Sequence, residues 1–172
     1  MRHDLFSTPV WHIKGAPLQL IDELYQGAYR FKKKYPSTQM TNQGGYQSPQ
    51  FFWENFHPQG IKIINKIIDN NIKMECEILS WWYNINGKGD WNYPHTHPGS
   101  DLALVLYLTD SDGLLFLLNP HSHRVINNHN TSINAQKGDI VLFPADLVHY
   151  VMPNPREEDR ISISMNLQLC GK

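Results

Sequence analysis

The apolar positions change their spacing near Ile72, and the change separates a helical N-terminal part from a region of strands. Before it, Leu18, Ile21, Leu24, Tyr25 and Ala28 recur at helical spacing behind Pro17, which predicts a helix starting there. Ile61, Ile64, Ile67 and Ile68 repeat that spacing over Gly60 to Asp69, with Asn70-Asn71 as the expected stop. Leu5 to Ile13 reads as an opening strand. Pro36 to Gln50, rich in Ser, Thr, Asn, Gln and Gly, predicts a loop.

Beyond Ile72, short apolar runs are punctuated by Asn86-Gly87, Ser111-Asp112-Gly113, Asn127-Asn128 and Lys137-Gly138-Asp139, a rhythm that predicts a mainly antiparallel β region. Leu102 to Leu108 is apolar nearly throughout, so both of its faces should be covered. The last strand alternates instead. Arg160, Ser162, Ser164, Asn166 and Gln168 share one face, and Ile161, Ile163, Met165, Leu167 and Leu169 share the other. Two helices can cover the apolar face, which leaves the polar face looking into a lined cavity. The expected fold is a mainly β jelly roll with two or more supporting N-terminal helices and a single domain over residues 1–172.

Charge and composition narrow the partners. Lys and Arg total 15 against 16 for Asp and Glu, so there is no general attraction for nucleic acid or an anionic membrane. A small-molecule or peptide substrate is the better expectation, and a homodimer is left open. Cys76 and Cys170 are too few to staple a domain and fit a reducing compartment. No apolar run approaches the roughly 20 residues that span a bilayer, and no signal-peptide core is present, so the expectation is a soluble cytoplasmic protein.

The candidate chemistry lies in histidines. In an extended strand residues i and i+2 point to one side, so the imidazoles of His95 and His97 can converge on one ion, with His149 arriving from a distant strand. Neutral imidazole suits iron, zinc, copper and nickel, and three facial ligands with open positions serve redox or Lewis-acid chemistry. His121-Ser122-His123 repeats the spacing but sits after Asn119-Pro120 in turn-forming sequence, and reads as a solvated turn. His3, His12, His57 and His129 read as surface or interface residues. Arg160 opens the strand whose polar face enters the cavity, and its planar fork matches a carboxylate. An inward cation needs an anion, either a ligand or Asp139, Asp146 or Glu157 of the chain itself. Ser162, on the same face, can add a hydroxyl to that anion. Asp101 stands close enough in sequence to supply an anionic metal ligand, although its place after Pro98-Gly99-Ser100 suits a turn.

The paired layout of turn, strand, Pro and His around Gly89 to His95 and Gly138 to His149 resembles the two cupin motifs, with Asp101 where cupins usually carry Glu and Asp146 where they carry Gly. More of the chain resembles the 2-oxoglutarate/Fe(II)-dependent oxygenases found in marine bacteria and cyanophages. The blocks that carry this are Thr41 to Ser48, Trp82-Tyr83-Asn84 with Gly89, His95-Thr96-His97-Pro98, Asn119-Pro120, Phe143-Pro144 to His149, and Arg160-Ile161-Ser162 with Asn166. That resemblance implies a double-stranded β-helix, Fe(II) on His95 and His149, and 2-oxoglutarate with its distal carboxylate on Arg160. His97 takes the position of the usual acid, which makes the ligand set His95, His97 and His149. Ser162, Tyr107 and Asn84 are the further candidates to contact the cosubstrate. Trp82 and Asn84 share a strand face that can border the substrate channel, and the Asn42 to Ser48 loop with Tyr46 is a candidate lid. The implied activity is hydroxylation of an amino acid, a peptide side chain or a small metabolite, with dioxygen as second substrate. Two other readings stay open: a cupin-type dioxygenase or isomerase without 2-oxoglutarate, and a metal- or ligand-binding module that is not an enzyme.

Overall fold

Alternation along four adjacent strands, interrupted by one register shift between Ile78 and Ser80, builds the main sheet and sorts its side chains into two separate environments. In this computed structural model, residues 7–112, 114–121 and 130–171 are described. Four short elements and a helix come first: β1 (Trp11–Ile13), α1 (Leu18–Lys34), β2 (Asn42–Gln43), β3 (Tyr46–Gln47) and β4 (Phe51–Phe52). A 3-10 turn (Trp53–Asn55) then leads to α2 (Pro58–Ile72). The strand region holds β5 (Cys76–Asn86), β6 (Trp91–His95), β7 (Leu102–Tyr107), β8 (Leu115–Leu117), β9 (Thr131–Ile133), β10 (Ile140–Pro144), β11 (His149–Val151) and β12 (Arg160–Leu169). The larger sheet runs β1-β10-β7-β12-β5-β3, with β4 also on β5, and the smaller runs β2-β6-β11-β8-β9.

On β7, Leu102, Leu104 and Leu106 join α1 and α2 in one core, while Ala103, Val105 and Tyr107 face the smaller sheet in a second core with Leu115, Leu117 and Phe143. Every residue of β7 is buried, as its unbroken apolar run predicts. On β12, Ile161, Ile163, Met165 and Leu167 enter the helix-covered core. Their neighbours Arg160, Ser162 and Ser164 line a cavity on the other face. The result is two facing antiparallel sheets with helices on one outer face, the double-stranded β-helix expected from the sequence.

Several boundaries differ from the expectation. The opening strand is only Trp11–Ile13, and residues 5 and 6 lie outside those described. In α1 the buried stripe is Leu20, Ile21, Leu24, Gly27 and Ala28, and Leu18, the first helical residue, is exposed on the other side of the same turn. Asn70 and Asn71 do not stop α2, which continues to Ile72 and ends where Lys73 adopts φ +52°. His57 is not an idle surface residue. It caps α2 by accepting from the Gly60 amide at 3.2 Å, and its other nitrogen lies 3.0 Å from Glu23. His12 pairs with Asp139 at 2.7 Å. His3 and His129, residues 122 and 123 of the second His-x-His, Gly113 and the Asn127-Asn128 turn all lie outside the described residues.

The segment read as a loop and candidate lid is paired at both ends. β2 joins the smaller sheet through β6 and β3 joins the larger through β5, so Asn42 to Ser48 ties the sheets together. Gly44 and Gly45, with φ of +69° and +63°, make the turn, and a Cβ on Gly44 would lie 2.0 Å from Asp90 Oδ1. Asn42, Tyr46, Gln47 and Ser48 are buried. Asn42 Nδ2 donates to the Gly44 carbonyl, Gln47 Oε1 accepts from the Thr41 amide and Ser48 Oγ from the Tyr83 amide, so the segment is bonded in place and is not a free flap.

Candidate metal centre and anion pocket

His95 ends β6 and His149 begins β11, and the two stand directly opposite each other across that pair of strands. His97 lies just beyond β6, where its amide bonds the Ala145 carbonyl at 2.8 Å and so anchors the segment to the end of β10. One ligand atom from each of the three rings lies within 4.8 Å of the others, the spacing of donors around a single ion. Ring centroids are 5.5 Å apart for His95–His97, 4.2 Å for His95–His149 and 5.0 Å for His97–His149.

Each ring has its Nδ1 committed. His95 Nδ1 lies 2.7 Å from the Tyr93 carbonyl, His149 Nδ1 lies 2.9 Å from the Leu147 carbonyl, and His97 Nδ1 lies 2.7 Å from Asn166 Oδ1. A carbonyl oxygen only accepts, so each Nδ1 carries the proton and each Nε2 presents a bare lone pair. Burial reinforces this: desolvation, with the neighbouring His95 also contributing, pushes His149 down to about 3 and His97 to about 4, and burial lowers His95 as well. The three imidazoles are neutral at neutral pH. Among the described residues no carboxylate joins them; Asp101 instead accepts from the Leu169 amide at 2.9 Å and from Gln168, closing the end of β12.

Behind the imidazoles, the inner face of the large sheet forms a narrow pocket which His95, His149, Trp82 and Arg160 all line. Tyr107, Ser162 and Asn84 stand in one row across β7, β12 and β5, because Ser162 is in register with both neighbours. Asn84 Nδ2 donates to Ser164 Oγ at 3.0 Å. Arg160 is 7% exposed; Nη1 donates to the Met152 carbonyl at 3.0 Å, while Nη2 is buried without a partner. Burial lowers Arg160 to about 10, so it stays cationic. The ion pairs considered from sequence do not form: Asp139 is held by His12, Glu157 by Lys88, and no salt bridge to Arg160 occurs among the described residues.

Two hydrogen-bond chains escaped the sequence reading. Asn166 accepts from His97 and donates through Nδ2 to Ser80 Oγ at 3.1 Å, and Ser80 Oγ also accepts from Gln50. Asn86 Nδ2 donates to Asn92 Oδ1 at 3.1 Å, and Asn92 Nδ2 to Thr41 Oγ1 at 3.1 Å, which braces β5 against β6 beside the pocket. Asn166 was visible as a polar residue on the inward face of β12, but its partner was not. Trp82, read from sequence as able to border the channel, lies beside the site with its ring 5.4 Å from that of His97, and its neighbour Trp81 is the core residue.

Residues 80–166 match the 2OG-Fe(II) oxygenase family, and the chain belongs to that family. It is therefore an enzyme of the class that uses Fe(II) and 2-oxoglutarate. Solved structures agree on the fold. The chain is similar to a prolyl-4-hydroxylase from Pseudomonas putida, at 15% identity and TM-score 0.68 over 98% of this chain and 96% of that one. It is also similar to HygX from Streptomyces hygroscopicus, solved with nickel and 2-oxoglutarate, at 11% identity and TM-score 0.68 over 94% and 83% of the two chains. The viral collagen prolyl hydroxylase of Paramecium Bursaria Chlorella virus-1 matches at 15% identity and TM-score 0.64, covering 92% and 94%. No curated protein sequence matches the chain. No helix among the described residues is long and apolar enough to cross a membrane.

Proposed function

We propose that His95, His97 and His149 hold Fe(II) through their Nε2 atoms and that Arg160 receives the distal carboxylate of 2-oxoglutarate, in a reaction that hydroxylates a C–H bond of an amino acid, peptide side chain or small metabolite. The observation that carries this reading is Arg160 Nη2, a buried guanidinium donor with no partner, in a pocket it shares with two of the three imidazoles. A buried cation left unpaired costs several kcal/mol, whereas a carboxylate can take two parallel hydrogen bonds from the guanidinium fork. Ser162 and Tyr107 present hydroxyls beside it, and Asn84 completes the row.

When bound, the iron supplies dioxygen activation: 2-oxoglutarate, dioxygen and R–H become succinate, carbon dioxide and R–OH, with one oxygen atom entering succinate and the other the product. The protein's share is to bind, orient and exclude water. The tied Nδ1 atoms orient the ligands, and Phe143, edge-on to His149 at 4.7 Å, and Val105 keep the floor apolar. Imidazole in place of a carboxylate leaves the centre one unit more positive, which strengthens its attraction for the dianionic cosubstrate.

The test is anaerobic addition of Fe(II) and then 2-oxoglutarate. A visible charge-transfer band on adding the second, and succinate on admitting air, are the expected results; binding of metal with neither signal would overturn the assignment of the pocket.

A further inference from the structure

Next to the metal centre, on the side away from Arg160, a groove of about 870 Å³, open to solvent, runs between the Thr38 to Gln50 segment and Thr96 to Pro98, with Trp82, His95 and His97 in its floor. Its described lining contains no Asp, Glu, Lys or Arg. We infer that this groove takes an uncharged stretch of polypeptide, so that the target residue is presented within a peptide and not as a free amino acid. The inference rests on the oxygenase reading above and names the substrate class for that site.

The argument is one of charge. A free amino acid carries its ammonium and carboxylate on the same carbon, only a few bonds from any side-chain position the iron could reach. Both ions would have to approach the metal centre between walls whose described side chains include no charged partner for either, and a charge that loses water without gaining a partner is penalised. Phosphorylated and polycationic metabolites meet the same obstacle. Inside a polypeptide those groups are neutral amides, and the groove offers what amides need: hydroxyl and carboxamide groups on Thr96 and Gln50, both exposed at its edges.

Two exposed apolar side chains, one in the groove lining and one on the sheet face beside it, add apolar surface outside the metal centre. Met40, in the groove wall, is 66% exposed. Phe51 packs its ring against Phe31 and Trp81 on the helix side, so Phe52, the next residue of β4, lies on the groove side, opposite Ser80 and 74% exposed. Ser80 in turn bonds Gln50 and Asn166, both of which line the groove. Apolar contacts outside the centre suit the side chains that flank a target residue in a chain.

The test measures conversion of 2-oxoglutarate to succinate by the Fe(II)-loaded enzyme with N-acetylated, C-amidated hexapeptides carrying each of the twenty residues at a central position, against the same residues as free amino acids. At least one blocked peptide should raise succinate formation about tenfold over the substrate-free rate, and Phe52→Asp should raise its half-saturating concentration at least fivefold. Stimulation by a free amino acid, a nucleotide or an apolar non-peptide metabolite equal to the best peptide would overturn the inference, as would no response to any peptide. Absence of the anaerobic charge-transfer band marks failure of the oxygenase reading instead.

Discussion

The two faces of the large sheet are built from the same strands and obey opposite rules. On the helix side Trp81 is 2% exposed amid the rings of Phe31, Phe51, Phe56 and Tyr83, with centroids 4.9 to 5.4 Å away, and its indole nitrogen donates to the Phe52 carbonyl at 3.2 Å. One residue on, Trp82 turns to the other face, where Asn84, Ser164 and Arg160 surround a cavity. The helix side buries mainly apolar surface, with the neutral Tyr46 hydroxyl and Asn65 Oδ1 left without partners; the cavity side leaves a charged guanidinium donor unmatched. Stability is concentrated on one face and ligand recognition on the other, and a two-residue period lets each be altered almost independently of its neighbour in sequence.

That division can be broken most sharply at Trp81. Trp81→Ala should cost about 3–5 kcal/mol of unfolding free energy, read by urea denaturation, because the ring leaves a cavity among four aromatic neighbours. Metal affinity of the protein that remains folded should hardly move. Arg160→Leu should do the reverse: by removing one partner of a buried charge pair it should weaken 2-oxoglutarate binding by about 2–5 kcal/mol in a titration of the charge-transfer band. The metal-free protein should be no less stable in the same denaturation assay, since a buried unpaired cation is replaced by a packed side chain. A large loss of metal-free stability would show that Arg160 has a structural duty.

Asn166→Leu sharpens the contrast at smaller amplitude. It removes the acceptor that holds His97 Nδ1, and loss of such an outer partner lowers metal affinity roughly 10–100-fold; Asn166→Asp, which keeps the acceptor, should restore binding in a competition titration with a chelator. The smallest effect concerns the edge of the helix-covered face. Burial, with Asp69 and Cys170 nearby, pushes the Cys76 thiol up to about 11, whereas Cys170 is exposed. Only the thiolate reacts, so iodoacetamide at mildly alkaline pH should label Cys170 first, as peptide mass mapping would show.

Much of this molecule was legible before folding was considered. The alternation on β12 separated Ile161, Ile163, Met165 and Leu167 from Arg160, Ser162 and Ser164 because a strand's side chains must alternate whatever it pairs with. The same local rule aimed His95 and His97 to one side. The Pro36 to Gln50 segment misled because polar composition marks a loop only when the polar groups meet water, and here Asn42, Gln47 and Ser48 are buried, the first two bonding within the segment and Ser48 taking the Tyr83 amide. The end of α2 was set too early because Asn is a weak stop unless a neighbour enforces it.

Period and residue type, then, determined which side chains were candidates and which face each would occupy, since those follow from bond geometry within a few residues. Whether His149 would stand opposite His95, whether Arg160 would find an internal carboxylate, and which carbonyl would hold His97 depended on strand register between segments far apart in sequence. Only the tertiary structure decided them, because register is chosen by the packing of both sheets at once and not by any single strand.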